Sequence, residues 1–293
     1  MISQTGTELV QKAATDPHER HSGSHEPILP GGQAALRGHG TFRLLGKVAR
    51  HPSRALLRLL LRARLARESM PDIRARLLAW IAARFDVDAV ALHAEYLASD
   101  FRREFAARRR ALWAFEGPQR LGTSDALSHE ALYLVARAAK PRVVIETGVL
   151  YGAASAHILA ALARNGSGEL HSVDLPHEPG EPPHGFLVPE ELCSRWRLIV
   201  GDSRRELPAL LDRVPTVDLF HHDSLHTSEH MTWEFETVRP RLSDNGVVSS
   251  HDVRIAHSLR EIFRPNAFQT FCERRGLRWD TFYNSGLATL AKA

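Results

Sequence analysis

The sequence predicts an α/β fold with a doubly wound, mostly parallel seven-stranded sheet and an N-terminal helical extension. Two observations support this prediction. After residue 117, short β-branched runs alternate with helical segments, which is typical of a parallel sheet with helices on both faces. Before that residue, apolar side chains recur mostly at helical spacing. The length of 293 residues suits one large domain and an extension.

Basic residues are concentrated ahead of the α/β part. Residues 37–76 contain eleven basic and two acidic residues, a charge of +9 within a chain of net charge +4, so the remainder carries −5. Residues 1–36 are rich in Gly, Ser, His, Pro and Gln without an apolar period, a composition typical of disorder. We therefore predict a disordered basic tail at 1–50, a helical extension at 51–116 and the α/β domain at 117–293.

Three helices are predicted before the α/β domain. Ser53 can cap a leucine-rich helix over 56–65, which Pro71 ends. Apolar residues at helical spacing predict a second helix over 73–84 and a third over 87–113.

Strands and helices then alternate to the end of the chain. The predicted strands cover 142–146, 170–173, 198–200, 217–220, 247–249, 278–283 and 287–290. The predicted helices cover 129–139, 153–164, 204–211, 229–242 and 267–275, with Ser128 just before the first of them. Sheets of this kind bind ligands beyond the carboxyl ends of their strands, so the residues just after each strand are the candidates for a site.

A pair of glycines follows the first strand. Gly148 allows a tight turn, and Gly152 at the start of the next helix allows a ligand to approach the backbone. Their spacing differs from the dinucleotide pattern G-x-G-x-x-G and fits a nucleoside without a pyrophosphate better. The alternative is an ordinary glycine turn between a strand and a helix.

Carboxylates follow the second and third strands. Asp174 can accept two hydrogen bonds from a ribose diol, or it can be a loop or helix-cap residue. Asp202, which precedes Ser203, can receive the exocyclic amine of an adenine and can also cap the following helix.

Polar clusters follow the fourth and fifth strands. They contain two carboxylates and three imidazoles: Asp223, Asp252, His222, His226 and His251. In an open sheet these clusters converge on one cleft, where they fit either a divalent-cation site or a histidine general base. We expect His221 to turn away from the cleft and to be a structural residue.

Taken together, residues 120–290 resemble the class I S-adenosylmethionine-dependent methyltransferases. The similarity is greatest to the branch of macrocin and sugar O-methyltransferases and cephalosporin-hydroxylase-like proteins. The motifs that carry it are Glu146-Thr147-Gly148 with Gly152 and Ser155, Ser172-Val173-Asp174-Leu175-Pro176, Val188-Pro189, Arg195-Trp196, Gly201-Asp202-Ser203, and His222-Asp223-Ser224-Leu225-His226-Thr227 followed by Glu229-His230-Met231. The resemblance implies a Rossmann-like methyltransferase fold over the α/β domain.

The resemblance also implies which residues bind S-adenosylmethionine. Glu146 would orient the amino group through water, Gly148 and Gly152 would line the methionine and ribose, and Asp174 would hold the ribose hydroxyls. Asp202 would face the adenine. The complete implied set is Glu146, Gly148, Gly152, Ser155, Asp174, Asp202, Ser203 and Asp223.

Related metal-dependent O-methyltransferases hold Mg²⁺ with an acid after strand four and an acid pair after strand five. This chain matches with Asp223, but strand five is followed by His251 and Asp252, so an imidazole replaces one acid. The resemblance therefore implies a cation site of Asp223, Asp252 and His251 with a changed metal preference.

The function that follows is O-methylation of a small-molecule hydroxyl, on a sugar or a natural product, with assistance from a divalent cation. The sulfonium is already a strong electrophile, so the protein must align the acceptor and remove its proton. We expect His226 or His251 to be the base. The segment 176–191, rich in Pro and Gly, is predicted to be a substrate-facing lid, with plain disorder as the alternative.

A second hypothesis makes residues 37–76 an arm that binds nucleic acid or an anionic surface, with the α/β domain binding cofactor. The arm has no interleaved aromatic residues, so a helix contacting a membrane surface or a protein, or a helical cap on the domain, fits equally well. A nicotinamide-dependent oxidoreductase is disfavoured because G-x-G-x-x-G is missing.

The cysteine count and hydropathy favour a cytoplasmic protein. Cys193 and Cys272 allow at most one disulfide, and no apolar run approaches the roughly 18 residues of a membrane span. The first thirty residues are polar, so we expect no secretory signal there. The expected partners are a small-molecule acceptor and a second copy of the chain in a homo-oligomer.

Overall fold

The computed structural model describes residues 69–116, 126–253 and 266–290, with side chains of the first segment up to 114. The predicted tail at 1–50 and the helix at 56–65 lie outside these residues. The boundaries proposed for the tail, the extension and the domain therefore stay predictions.

The described residues contain one seven-stranded sheet. Its strands are β1 (Val143–Thr147), β2 (Glu169–Asp174), β3 (Trp196–Val200), β4 (Val217–His222), β5 (Leu242–Ser250), β6 (Arg278–Phe282) and β7 (Ser285–Thr289). The order is β3-β2-β1-β4-β5-β7-β6, parallel from β3 through β5, with β7 antiparallel to both neighbours. This confirms the predicted doubly wound, mostly parallel sheet of the Rossmann-like methyltransferase type.

Helices cover both faces of the sheet. They are α1 (Met70–Phe85), α2 (Ala89–Ala98), α3 (Asp100–Glu116), α4 (Ala126–Ala139), α5 (Ala153–Asn165), α6 (Ser203–Leu211), α7 (Ser228–Val238) and α8 (Ala267–Arg275), with 3-10 turns at Glu190–Arg195 and Arg239–Arg241. Adjacent residues of the central strand separate the two cores. Val144 packs with α1, α4 and α5, and Ile145 packs with α6, α7 and α8.

The extension contains more helix breaks than predicted. The segment 87–113 is two helices, because Ser99 adopts an extended conformation after α2. The Ser99 hydroxyl donates to the Tyr96 carbonyl (2.7 Å) and accepts from the Arg102 amide (3.3 Å), so it ends one helix and caps the next. The preceding helix begins at Met70, one residue after its cap Ser69.

Two further boundaries differ from the predictions. Ser128 lies inside α4 rather than before it. It is buried, and its hydroxyl accepts a hydrogen bond from the Ser285 hydroxyl of β7 (2.6 Å). Helix α7 ends at Val238, where a 3-10 turn containing Pro240 follows, and β5 starts at Leu242 rather than at 247.

Two arginines of the basic arm connect α1 to the α/β domain. Arg74 forms a bidentate pair with the buried Glu130 of α4, at 2.6 and 3.2 Å. Arg76 bonds the Asp280 carboxylate of β6 at 2.6 Å and the Thr281 carbonyl at 2.9 Å. These two basic side chains therefore serve packing of the extension rather than an external ligand. Among the described helices, none has the length and apolar character needed to cross a membrane.

Candidate functional site

A cleft of about 800 Å³ opens at the carboxyl ends of the parallel strands. Each of the five parallel strands contributes to its wall through a residue at its end or within two positions after it: Gly148, Asp174, Asp202, Asp223 and His251. The parallel topology therefore brings together residues up to about a hundred positions apart in sequence.

Gly148 lies where the loops after β1 and β4 touch. Its φ is +84°, and a Cβ atom there would lie 2.2 Å from the Asp223 carbonyl oxygen, so only glycine fits. Gly152, with φ of +80°, instead meets the backbone of the lid, since its Cβ would lie 2.7 Å from the Gly185 Cα. Gly152 does not line the cleft. The sequence position predicted that a ligand approaches its backbone, but in the structure the backbone of the lid does so.

Asp174 ends β2 and holds the loop that follows β1. Its Oδ2 accepts hydrogen bonds from the amides of Val149 (3.0 Å) and Leu150 (2.7 Å), and its Oδ1 accepts one from Leu175 (2.9 Å). Oδ2 is thereby saturated, whereas Oδ1 has room for one further donor.

Glu146 and Ser155 lie beneath the cleft rather than on its wall. Glu146 Oε2 accepts from the hydroxyls of Ser155 (2.6 Å) and Ser172 (2.7 Å), while Oε1 is buried without a hydrogen-bond partner in the described part of the chain. Burial raises the pKa of Glu146 to about 8, so this carboxyl is mostly protonated at neutral pH.

Asp202 is the N-cap of α6, as its sequence position indicated. Its carboxylate accepts from the Arg204 amide at 2.8 Å and remains exposed to the cleft. The neighbouring Ser203 hydroxyl lies 3.1 Å from Nε2 of His230, so this wall is connected to α7.

A buried carboxylate that sequence reasoning missed connects the strand ends. Glu234 of α7 is fully buried, and its oxygens bond the Thr147 hydroxyl (2.6 Å) and the Ser224 hydroxyl (2.9 Å). They also bond Nδ1 of His222 (2.6 Å) and Nε2 of His230 (2.9 Å). The only sequence signal was the i, i+4 spacing of His230 and Glu234 on one helix.

Charge compensation keeps Glu234 ionised. Burial raises its pKa, but the hydrogen bond and charge of His222, with the hydroxyls of Thr147 and Ser224, outweigh burial and hold the pKa at about 2. His222 is buried in its pair with Glu234 and does not line the cleft, so it is not a third candidate base. His221 is also buried away from the wall, with Nδ1 3.2 Å from the Ser249 hydroxyl.

The residues after β4 and β5 form one cluster. Nδ1 of His251 lies 2.9 Å from Asp223 Oδ1, and Nε2 of His226 lies 3.6 Å from Asp223 Oδ1 and 3.4 Å from Asp252 Oδ2. Asn284, which follows β6 and was missed from sequence, places its amide nitrogen 2.7 Å from Asp252 Oδ1 and 3.0 Å from His251 Nε2. The structure thus brings together every residue predicted for catalysis and metal binding.

The protonation states of this cluster suit base chemistry. Burial lowers the pKa of His226, and the charges of Asp223 and Asp252 oppose the shift only in part, so its imidazole is neutral at neutral pH. Partial burial raises the pKa of Asp252, but the Asn284 hydrogen bond and the charge of His251 lower it overall.

The predicted lid packs over the loop after β1. The amide of Leu187 donates to the Tyr151 carbonyl (2.9 Å), and Leu187 and Val188 are buried. Its outer part contributes Pro176 and His177, among other residues, to the cleft wall. This packing places the segment beside the cleft, where the lid hypothesis requires it.

Residues 145–253 match the profile of a family described as a methyltransferase domain. This span runs from β1 to the end of β5 and contains the strand-end residues that line the cleft. This match over 145–253 agrees with the methyltransferase resemblance that the sequence motifs carry. A search of curated proteins found no match.

Solved structures with a similar course of the chain include several methyltransferases. One from Geobacter sulfurreducens is 19% identical, with a TM-score of 0.49 over 69% of this chain and 96% of that chain. The SAH-bound PaMTH1 of Podospora anserina is 15% identical, with a TM-score of 0.48 over 70% and 95%. The O-methyltransferase TomG of Streptomyces achromogenes is 17% identical, with a TM-score of 0.48 over 69% and 96%.

The buried Glu234 yields a prediction about stability. Replacing it with Gln leaves one acceptor for four donors and removes the charge that balances His222, so the free energy of unfolding should fall by about 3–5 kcal/mol. In the unmodified protein, the lowered pKa contributes stability that is complete above pH 4.5 and is lost as the pH falls toward 2. Urea titration between pH 7 and 3 measures both effects.

Glu236→Gln is the matched control for Glu234→Gln. Glu236 lies on the same helix but pairs with Arg275 at the surface, so its substitution should cost less than about 1 kcal/mol. Equal stability of the two variants at pH 7 would contradict the central role of Glu234.

Proposed function

We propose that the chain methylates a hydroxyl group of a small molecule, a sugar or a natural product, with S-adenosylmethionine as methyl donor. The observation that carries this proposal is the position of neutral His226 beside Asp223 and Asp252, on the same cleft as Gly148 and Asp174. A cavity of cofactor size and a candidate general base thus lie on the same cleft.

The cleft suits the proposed cofactor in size and polarity. Its volume falls within the roughly 300–1,000 Å³ that is typical of small-molecule sites. The remaining acceptor position on Asp174 Oδ1 would take a ribose hydroxyl, and Asp202 with Ser203 would face the adenine. Two groups would support this wall without lining the cleft: the hydrogen-bonded Glu146 and Ser155 beneath it, and Gly152 where it meets the lid.

His226 is the better candidate for the base of the two predicted histidines. Both ring nitrogens of His251 already lie within hydrogen-bond distance of neighbours, Asp223 and Asn284. His226 instead presents Nε2 toward two carboxylates, is neutral and lies on the cleft wall. We assign proton removal to His226, and we assign positioning of Asp223 and Asp252 to His251 and Asn284.

The same cluster has donors that fit a divalent cation. One ligand atom each of Asp223, His226 and His251 lie within 4.8 Å of one another, with Asp252 adjacent. Asp223, Asp252 and His251 would hold the ion once Nδ1 of His251 turns from its Asp223 contact to the metal, and the imidazole shifts the preference from Mg²⁺ toward Mn²⁺ or another transition metal. A bound cation would lower the pKa of the acceptor hydroxyl and orient it.

The remaining partner hypotheses stay predictions. Most of the arm at 37–76 lies outside the described residues, and Arg74 and Arg76 of α1 pack against the α/β domain, so contact of the remaining arm with a membrane surface, nucleic acid or protein is a proposal. A homo-oligomer and a cytoplasmic location are likewise proposals. The thiols of Cys193 and Cys272 are both free.

Calorimetric titration with S-adenosylmethionine tests cofactor binding. The unmodified protein should bind, and Asp174→Ala should weaken binding at least tenfold, because it removes the ribose acceptor and frees the loop that carries Val149 and Leu150. Asp212→Ala, at the exposed end of α6 away from the cleft, is the control and should bind normally. Absence of binding by the unmodified protein would remove the proposal.

His226→Gln tests the base. It should lower kcat by about 10²–10⁴-fold, with the cofactor KM nearly unchanged, in an assay of S-adenosylhomocysteine release with a panel of hydroxylated acceptors. Because burial lowers the pKa of His226, the unmodified rate should decline only below the ordinary value of about 6.5, and the variant should lack this decline. An unchanged kcat would exclude His226 as the base.

Metal removal tests the cation. Thorough treatment with EDTA should abolish turnover, and Mn²⁺ should restore it more effectively than Mg²⁺, because an imidazole replaces an acid in the ligand set. Asp252→Ala should weaken Mn²⁺ binding, whereas Asp244→Ala, exposed on β5, should not. Full turnover after chelation would contradict this part of the proposal.

A further inference from the structure

A second cluster of metal-ligating side chains lies on the other side of the cleft, in the lid. Asp174, His177 and His184 each offer one ligand atom, and these three atoms lie within 4.8 Å of one another. We propose that this lid cluster is a binding site for a transition-metal ion of the Zn²⁺ type, distinct from the cluster after β4 and β5. The proposal goes beyond the methyltransferase activity, and only its competition step rests on the proposed cofactor site.

His177 is already in the form that binds a metal. Its Nδ1 lies 2.7 Å from the Pro182 carbonyl oxygen, and because a carbonyl only accepts, Nδ1 carries the hydrogen. The neutral ring therefore keeps its lone pair on Nε2, a buried atom without a hydrogen-bond partner among the described residues. An imidazole fixed by a carbonyl at one nitrogen, with the other nitrogen free, is the usual arrangement of a metal ligand.

His184 lies directly against this ring. The two imidazoles stack with centroids 3.6 Å apart and an interplanar angle of 27°. Nε2 of His184 lies 2.8 Å from the Leu175 carbonyl oxygen, so it carries the hydrogen and Nδ1 keeps the lone pair. Both rings are thus held by lid or strand-end carbonyls, which leaves Nε2 of His177 and Nδ1 of His184 with the lone pairs that a metal would take.

The donor set selects the metal. Two imidazoles and one carboxylate suit Zn²⁺ or a related transition ion, whereas Mg²⁺ and Ca²⁺ take oxygen ligands. Three protein ligands leave a fourth tetrahedral position for water or for an exogenous group, as in open zinc sites. Glu178 and Glu181, which also line the cleft, add negative charge beside it.

Asp174 belongs to both sites. Its Oδ2 is saturated by two loop amides, and its Oδ1 has room for one partner, either the metal or a ribose hydroxyl. The ion and the nucleoside therefore compete, and the metal would hold the lid residues 177–184 against the end of β2 while the cofactor is absent.

Zinc titration of the full-length chain tests the site. Asp223→Ala and His251→Ala together remove two ligands of the first cluster, and the doubly substituted protein should still bind one equivalent of Zn²⁺ by calorimetry. Adding His177→Ala or His184→Ala should weaken this binding at least tenfold. Adding His171→Ala, whose imidazole pairs with Glu169 instead of lining the cleft, should leave it unchanged. Thermal unfolding checks that each variant is folded.

Two outcomes would overturn the proposal. If folded protein binds no Zn²⁺ in the doubly substituted background, or binds it equally well without His177 and His184, the lid cluster is not a metal site. Co²⁺ provides a second readout, since coordination by the imidazoles should produce visible absorption bands that the His177→Ala variant lacks.

Competition is measured on the same preparation. The apparent Kd for S-adenosylmethionine should rise in proportion to free Zn²⁺ above the zinc Kd, and a cofactor affinity independent of zinc would overturn the sharing of Asp174. Cofactor binding in metal-free buffer reports on the proposed function alone. Failure of that binding is therefore distinguishable from failure of the zinc site.

Discussion

The hydrogen-bond network around the buried carboxylate of Glu234 is the interaction on which the site depends. A charge removed from water is tolerated only where hydrogen bonds and an opposite charge compensate for lost hydration. Here the compensating groups come from three elements: Thr147 at the end of β1, His222 and Ser224 at the end of β4, and His230 on α7. Because one carboxylate must satisfy all of them, it sets the separation of two central strand ends. The two loops that leave those ends form the middle of the cleft.

That separation explains the glycine after β1. The Asp223 amide donates to the Thr147 carbonyl at 2.8 Å, so the loop after β4 lies against the start of the loop after β1, and a side chain at Gly148 would collide with it. Gly152 is required for a different reason, because the backbone of Gly185 in the lid lies close to it. Sequence spacing shows that small residues are needed at both positions, but it does not show which backbone comes close to each.

The strand-end residues could be predicted because alternation of strands and helices determines where parallel strands end. Asp174, Asp202 and Asp223 all reach the cleft for this reason. Glu234 and Asn284 could not be found in the same way. Glu234 lies on α7 and Asn284 in the turn between β6 and β7, so their contacts depend on how these elements pack against the carboxyl ends of the strands. The break at Ser99 was hidden for another reason: apolar periodicity continues across it, so only the local capping hydrogen bonds distinguish two helices from one.

The charged residues on the cleft wall also affect the pKa of the buried Glu146. Burial is the main cause of its raised pKa, and the negative charges of Asp223 and Asp174 add to the shift. A cationic sulfonium or a metal ion bound at those carboxylates would offset their negative charge and lower the pKa of Glu146 toward ionisation. Its unpartnered Oε1 would then become a stronger acceptor just beneath the cofactor wall. Under the proposed function, ligand binding would thus lower the pKa of a buried carboxyl, although Glu146 itself does not line the cleft.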